Sequence, residues 1–274
     1  MRIVDLTSPL HTQSVAPTKV RIKRVNHIKG AKLLALEALV AEKSIVKKLR
    51  NIFLFLLGYK KMGPKDFPHQ EGLAWETIHT MTHRGTHMDA PYHFGSMCGQ
   101  EKAKTIEEVP LEWCFRNGLL LDFTHKKAGE WILRQEIIEQ LQKIRYEIKP
   151  LDIVLIKTGC DQYWNKPAYL TAYPGLSKDA LYYLLDKGVK IIGIDSYSLD
   201  RPSFIMMEEY KEKGRNHDAL WPCHFAGRDR EYCHIEQLAH LDKINMPTGF
   251  KICCFPMLIE KGSAGWCRVV AIIE

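Results

Sequence analysis

The sequence predicts an α/β fold with some parallel strand pairing, and three observations lead to it. Short continuous apolar runs recur at residues 118–123, 152–158 and 189–195, the pattern of strands buried on both faces. Segments of helical period alternate with them, over residues 134–144 and 176–187. A chain of 274 residues with 46% hydrophobic content and an ordinary charged fraction has enough apolar mass for one large core or two modest ones.

In chain order, residues 2–6 read as an opening strand before a turn at Ser8-Pro9. From about 31 to 57, Leu36, Leu39, Val40, Val46, Leu49, Ile52, Phe53 and Leu56 recur at spacings that suit helices. Lys43, Lys47, Lys48 and Arg50 lie mainly between them, and Gly58 and Gly63-Pro64 end the run. This is the pattern of an amphipathic helix pair packed on the core or on a dimer mate; a lid over a site is the alternative. Residues 74–81 alternate like a strand. Ser177 is the expected N-cap of the helix over 176–187. Residues 234–241 have the look of a helix, and residues 250–258 and 267–273 supply the last strands. No repeat, low-complexity tract or linker divides the chain. The assignment is one domain, 1–274, with a helical insertion over about 19–70.

The net charge of +7 is unevenly spread: residues 19–65 hold thirteen Lys/Arg against Glu37 and Glu42, so the remainder is slightly acidic. That basic segment lacks a nucleic-acid fold signature. No apolar run is long enough to span a bilayer, and the N-terminus has no signal-peptide character. The eight cysteines form no CxxC pair, and several sit in apolar runs, as expected of reduced, mostly buried thiols in a cytoplasmic protein. No GxGxxG, GxxxxGK[ST] or GxSxG occurs, so nucleotide-binding and serine-hydrolase chemistry lack their usual support.

The densest chemistry lies in His83-Arg-Gly-Thr-His87-Met-Asp89-Ala-Pro-Tyr-His93-Phe94. Eleven residues, 83–93, hold three imidazoles and a carboxylate, ligand types for zinc and similar divalent ions. Side chains 83, 87 and 89 share parity, so an extended segment sends them to one side. Gly85 lets the backbone turn, and Pro91 stiffens the approach to His93, whose imidazole suits acid–base work near neutral pH. Asp89 has two oxygens with which to bridge two ions. A second ion needs further ligands, for which His224 and Glu236 are the first candidates, with His217, His234 and His240 competing and Cys223 or Cys233 as thiolate alternatives. Asp195 and Asp200 end a strand near these elements, where hydrogen bonding of loop backbone is the expected role.

This segment resembles the HxGTHxDAPxHF signature of the cyclase family, which includes bacterial kynurenine formamidases, isatin hydrolases and polyketide-cyclase-like enzymes. Val4-Asp-Leu-Thr7, Asp152-Ile-Val-Leu-Ile-Lys-Thr-Gly159, Pro174-Gly-Leu-Ser177, Gly193-Ile-Asp-Ser-Tyr-Ser-Leu-Asp200 and Arg268-Val-Val-Ala-Ile272 look like its other blocks. The resemblance implies a swivelling β/α/β-type fold and a homodimer or higher homo-oligomer. It implies that His83, His87 and Asp89 bind metal and that His93 is the catalytic histidine. His224 and Glu236, twelve residues apart, match the pair that completes a second site in binuclear members. The implied cofactor is zinc or manganese, one or two ions per chain.

The activity expected from that resemblance is hydrolysis of an amide, formamide or lactam-like C–N bond of a small molecule by metal-activated water, with His93 as general acid/base. His-Phe-Ala-Gly-Arg-Asp-Arg-Glu231 and the basic segment depart from a small kynurenine formamidase and look more like the natural-product tailoring branch. The alternative is therefore cyclisation or dehydration of a polyketide-like substrate, with the basic segment docking an acidic carrier protein. A non-catalytic binding protein is the remaining class. Neither nucleic acid nor membrane is an expected partner.

Overall fold

The computed structural model describes residues 1–13, 15, 18–59 and 62–274. In chain order its main elements are β1 (Arg2–Asp5), β2 (Arg21–Val25), α1 (His27–Val40), α2 (Ile45–Leu56), β3 (Trp75–His79), β4 (His87–Asp89), α3 (Pro91–Phe94) and β5 (Phe115–Asp122). There follow α4 (Arg134–Ile144), β6 (Ile153–Lys157), α5 (Lys178–Asp186), β7 (Ile191–Ile194), α6 (Ser203–Glu212) and α7 (Pro222–Ala226). The chain ends with β8 (Cys233–Glu236), β9 (Phe250–Cys253), β10 (Ala264–Trp266) and β11 (Val270–Ile273). It divides into two compact units, residues 1–19 with 81–274, and residues 20–80.

The larger unit is built on a nine-stranded mixed sheet of order β1-β11-β9-β5-β6-β7-β8-β4-β10. The centre, β5-β6-β7-β8, is parallel, and the pairs outside it are antiparallel. The strands over 118–123, 152–158 and 189–195 form as their apolar runs require, because parallel strands are covered on both faces. Alternate residues feed two cores. Ile153, Leu155, Ile191 and Ile235 join one, and Val154, Ile156, Ile192 and Ile194 join the other with Ile137 of α4 and Leu181 of α5. Ser177 caps α5 by accepting from the Ala180 amide at 3.2 Å.

Three expectations change. Residues 234–241 are not a helix: β8 ends at Glu236, and Gln237 and His240 adopt φ of 60° and 61°, which helix geometry forbids. The strand expected over 250–258 stops at Cys253. Helix α6 has no strong apolar period and was not expected. Of the eight cysteines, six are buried.

The smaller unit pairs β2 antiparallel with β3 and carries the two expected helices between them. Asn26 caps α1 through the Lys29 amide at 2.9 Å. Gly30 is required where residue 73 crosses α1, since a Cβ there would fall 1.8 Å from the Leu73 carbonyl oxygen. Gly30, Ala31, Ala35 and Leu39 of α1 are buried, whereas the apolar face of α2 is exposed. Two lysines of the basic segment, Lys60 and Lys61, lie outside the described residues. Among the described residues no helix is long and apolar enough to cross a membrane.

Candidate metal centre

Two adjacent strands set the centre. In the antiparallel register of β4 and β8, Asp89 stands opposite His234 and His87 opposite Glu236. Strand side chains alternate faces, so these four polar groups share one face. Met88 and Ile235 between them enter the apolar core on the other. The result is a grid of two imidazoles and two carboxylates in the interior of the sheet.

His83 joins from the loop before β4 and not from an extended segment. The chain turns at Gly85, whose φ is +69°. The turn is held by Gln237, which accepts from the Gly85 amide through Oε1 at 3.1 Å and from the Thr86 hydroxyl through its carbonyl at 2.6 Å. His83 Nδ1 then lies 2.7 Å from Asp89 Oδ1, with Nε2 3.0 Å from Ser263 Oγ. Pro91 starts α3, which carries His93 with its Nε2 4.0 Å from Asp89 Oδ2. His224 enters on α7, its Nε2 3.7 Å from Glu236 Oε1. The structure thus brings together His83, His87, Asp89, His93, His224 and Glu236.

The rings are oriented from behind. His87 Nδ1 faces the Gly85 carbonyl at 2.8 Å and therefore donates to it, leaving an Nε2 lone pair for the site. His224 Nδ1 is held in the same way by Asp200 Oδ2 at 2.6 Å. Asp200 also accepts from the Cys223 and His224 amides, so it does more than tie loop backbone. Asp195 keeps the expected role, accepting from the amides of Thr158 and Gly159.

The electrostatics call for positive charge. Burial works against ionisation of Asp89, yet the His87, His234 and His83 imidazoles around it hold its carboxyl well below the usual range. Burial opposes charging of His224, but Asp200 and Glu236 push it up to about 9. His93 goes the other way: burial, with the nearby imidazoles, drives it down to about 3 against the pull of Asp89. The donors fit a divalent ion. His87 Nε2 and Asp89 Oδ1 are buried without a hydrogen-bond partner, although other donor atoms crowd them. Buried polar atoms rarely stay unsatisfied unless something else binds them.

Two groupings at this centre have donor atoms within 4.8 Å of one another: Asp89, His224, His234 and Glu236, and His83, Asp89 and His93. His234 is the participant that sequence reasoning ranked too low. Its parity with Glu236 was the signal, masked by reading the segment as a helix. His217 and His240 are exposed and away from this centre, His240 in a separate grouping with Asp161 and Asp242. The thiolate alternatives fail. Cys223 Sγ donates to the Leu176 carbonyl at 3.0 Å, Cys233 faces the opposite core, and burial pushes both thiols well up.

A cavity of about 370 Å³ opens beside the centre, a usual size for a small-molecule site. His83, His93, His224 and Glu236 line one side; Leu170, Tyr173, Met206 and Trp221 supply apolar walls. Arg201 also lines it, stacked 3.7 Å over Trp131 and paired with Glu209, while its buried Nε has no partner.

A family model described as "Putative cyclase" matches residues 4–201. The isatin hydrolase of Roseibium aggregatum is 24% identical over 211 residues, covering 73% of this chain and 75% of that protein. The kynurenine formamidase of Geobacillus thermodenitrificans is 29% identical over 120 residues, 43% of this chain and 49% of that protein. Among solved structures, isatin hydrolase A from Ralstonia solanacearum superposes with a TM-score of 0.71 at 20% identity, covering 100% of this chain and 92% of that one. An isatin hydrolase bound to the product analogue thioisatinate gives 0.70 at 20% identity, over 99% and 92%. These superpositions establish a shared fold.

Proposed function

Because the chain belongs to the cyclase family, matched over residues 4–201, we propose that it is a metal-dependent hydrolase opening an amide, formamide or lactam-like C–N bond of a small molecule. The observation that carries this reading is the pair of buried, unpartnered donor atoms, His87 Nε2 and Asp89 Oδ1, at the centre of a histidine–carboxylate cage beside a cavity. We assign His83, His87 and Asp89 to one divalent ion and Asp89, His224 and Glu236 to a second, with zinc or manganese as occupants. When bound, such an ion lowers the pKa of water towards 7 and polarises a carbonyl.

The chain's own residues do the rest. His93 lines the cavity with its Nε2 4.0 Å from Asp89 Oδ2, where it is placed to accept a proton from the attacking water and return it to the leaving nitrogen. Gly85 and Asp200 hold the His87 and His224 rings in the orientation that presents Nε2. Tyr173, Trp221, Leu170 and Met206 exclude bulk water and suit a flat acyl or aryl group. The Arg201 guanidinium on the cavity wall suits the carboxylate that C–N hydrolysis releases. The exposed apolar face of α2 supports a homodimer as the assembly.

The test is turnover of isatin and of an aryl formamide by metal-stripped protein reloaded with zinc or manganese, alongside Asp89→Asn. Activity should follow the metal and fall by more than about 100-fold in the variant, beyond the usual cost of an outer-shell loss. A chain that holds metal yet turns over neither substrate class would redirect the reading to non-hydrolytic chemistry, and a chain that holds none would sink it.

A further inference from the structure

Resting on that reading, we propose that His234 is itself a metal ligand, closing one of the two ion positions and leaving the other to water and substrate. His234 is fully buried, with Nε2 2.7 Å from Asp89 Oδ2 and 3.4 Å from Glu236 Oε1. Its tautomer is set from behind. The Tyr232 hydroxyl donates its one proton to the Cys223 carbonyl at 2.8 Å. Towards His234 Nδ1, 3.3 Å away, it offers only lone pairs, so Nδ1 carries the ring proton. Nε2 of the neutral ring is then a lone pair aimed at a carboxylate oxygen, an arrangement that needs a cation between them.

A proton is one such cation, and it serves less well. On His234 Nε2 it would relieve the contacts of that ring alone. It would not join His224 Nε2 to that ring, although His224 Nε2 lies 3.7 Å from the same Glu236 Oε1 with its Nδ1 held by Asp200. One divalent ion satisfies both contacts, since donor atoms of Asp89, His224, His234 and Glu236 all lie within 4.8 Å of one another. The charge count agrees. Asp89, Asp200 and Glu236 are three buried carboxylates whose ion-pair partners are histidines, so with the imidazoles neutral, as ligation requires, the cage carries an excess of negative charge.

Four protein donors complete a tetrahedral shell, the form of a site that holds its ion without an open position. The His83 side differs in the number of its donors: His83, His87 and Asp89 supply three, which leaves a position for water and substrate from the cavity that His83 and His93 line. The two ions are thereby unequal: the one at His234 is retained and anchors Asp89, and the one beside His93 works.

Metal-stripped wild type and His234→Val are titrated with zinc against a chromophoric chelator, and zinc-loaded wild-type crystals are measured by anomalous diffraction. We expect two ions in wild type, and in the variant one of them weakened by at least about 100-fold, at or beyond the limit for loss of an outer-shell partner. Anomalous density should sit about 2.1 Å from His234 Nε2. Unchanged affinity in a folded variant, or an ion in wild type more than about 3 Å from that nitrogen, overturns ligation by His234. Should His234→Val not fold, the wild-type density decides alone. Wild type without any ion overturns the hydrolase reading as well, whereas two ions indifferent to His234 overturn only this inference.

Discussion

The two units of the chain treat burial in opposite ways. In the larger one, His87, Asp89, Asp200 and His234 are completely buried. In the smaller one, α2 exposes Ile45 at 74%, Val46 at 75%, Leu49 at 62% and Leu56 at 75%. Charge is inside where chemistry needs it, and apolar surface is outside where a partner would cover it. Burying an ionisable group is costly unless each lone pair and proton has a partner. The Gly85 carbonyl, Asp200 and the Tyr232 hydroxyl supply the partners of the three rings. Exposing a helix face costs little by itself but makes a patch of the kind that marks an interface.

If the buried region is built for catalysis, its effects should dwarf any from α2. The largest should come from His93→Ala. Turnover should drop about 10²–10⁴-fold with metal content unchanged, because His93 works on the proton while other residues hold the ions. Steady-state kinetics with metal analysis of the same preparation checks both halves. A parallel loss of metal would place His93 among the ligands, with which it already shares a grouping of donor atoms.

Next is Asp200→Asn, which touches no reacting atom. It removes the charge that fixes the His224 tautomer from 2.6 Å. Zinc affinity of the second position should weaken about 10–100-fold. Chelator competition reads this directly. An unchanged affinity would show that the α7 backbone alone aims His224.

A third effect should be smaller. Arg201 stacks on Trp131 and lines the cavity. Replacing it with Met should weaken binding of a carboxylate product by about 1.5–3 kcal/mol, the usual worth of a hydrogen bond to a charged group. Product-inhibition constants for wild type and Arg201→Met measure it, and equal constants would remove Arg201 from product recognition.

How far these features were legible depended on period and partner. His87-Met-Asp89 was readable because a strand alternates with period two, and its neighbour in the sheet has the same period. His83 was found by residue type, but its route was not, because the turn at Gly85 breaks the parity argument while delivering the side chain to the same carboxylate. His234 was undervalued for a related reason. The run His234-Ile-Glu-Gln-Leu-Ala-His-Leu241 suits a helix as well as a strand, and only the positive φ at Gln237 and His240 decides. Asp200 could not be assigned from sequence, since its role rests on α7 folding back over 24 residues. The apolar runs of β5, β6 and β7 were read directly, because strands covered on both faces leave no polar alternation to confuse. β2 was missed for the opposite reason: Arg21, Lys23 and Arg24 crowd its few apolar residues.

The smallest effect tests the other side of the comparison. Leu49 and Phe53 lie one turn apart on the exposed face of α2, between the cations Lys47 and Arg50. In an isolated chain, Leu49→Glu with Phe53→Glu should shift unfolding stability by no more than about 0.5 kcal/mol per site, as for other exposed positions. Metal content should not move at all. Urea unfolding at several protein concentrations distinguishes the cases. A loss that grows with protein concentration would show that the face is covered by a second copy, since association stabilises by mass action. A large loss independent of concentration would show that the face is covered within the chain, and the contrast between a buried catalytic region and an uncovered basic one would then collapse.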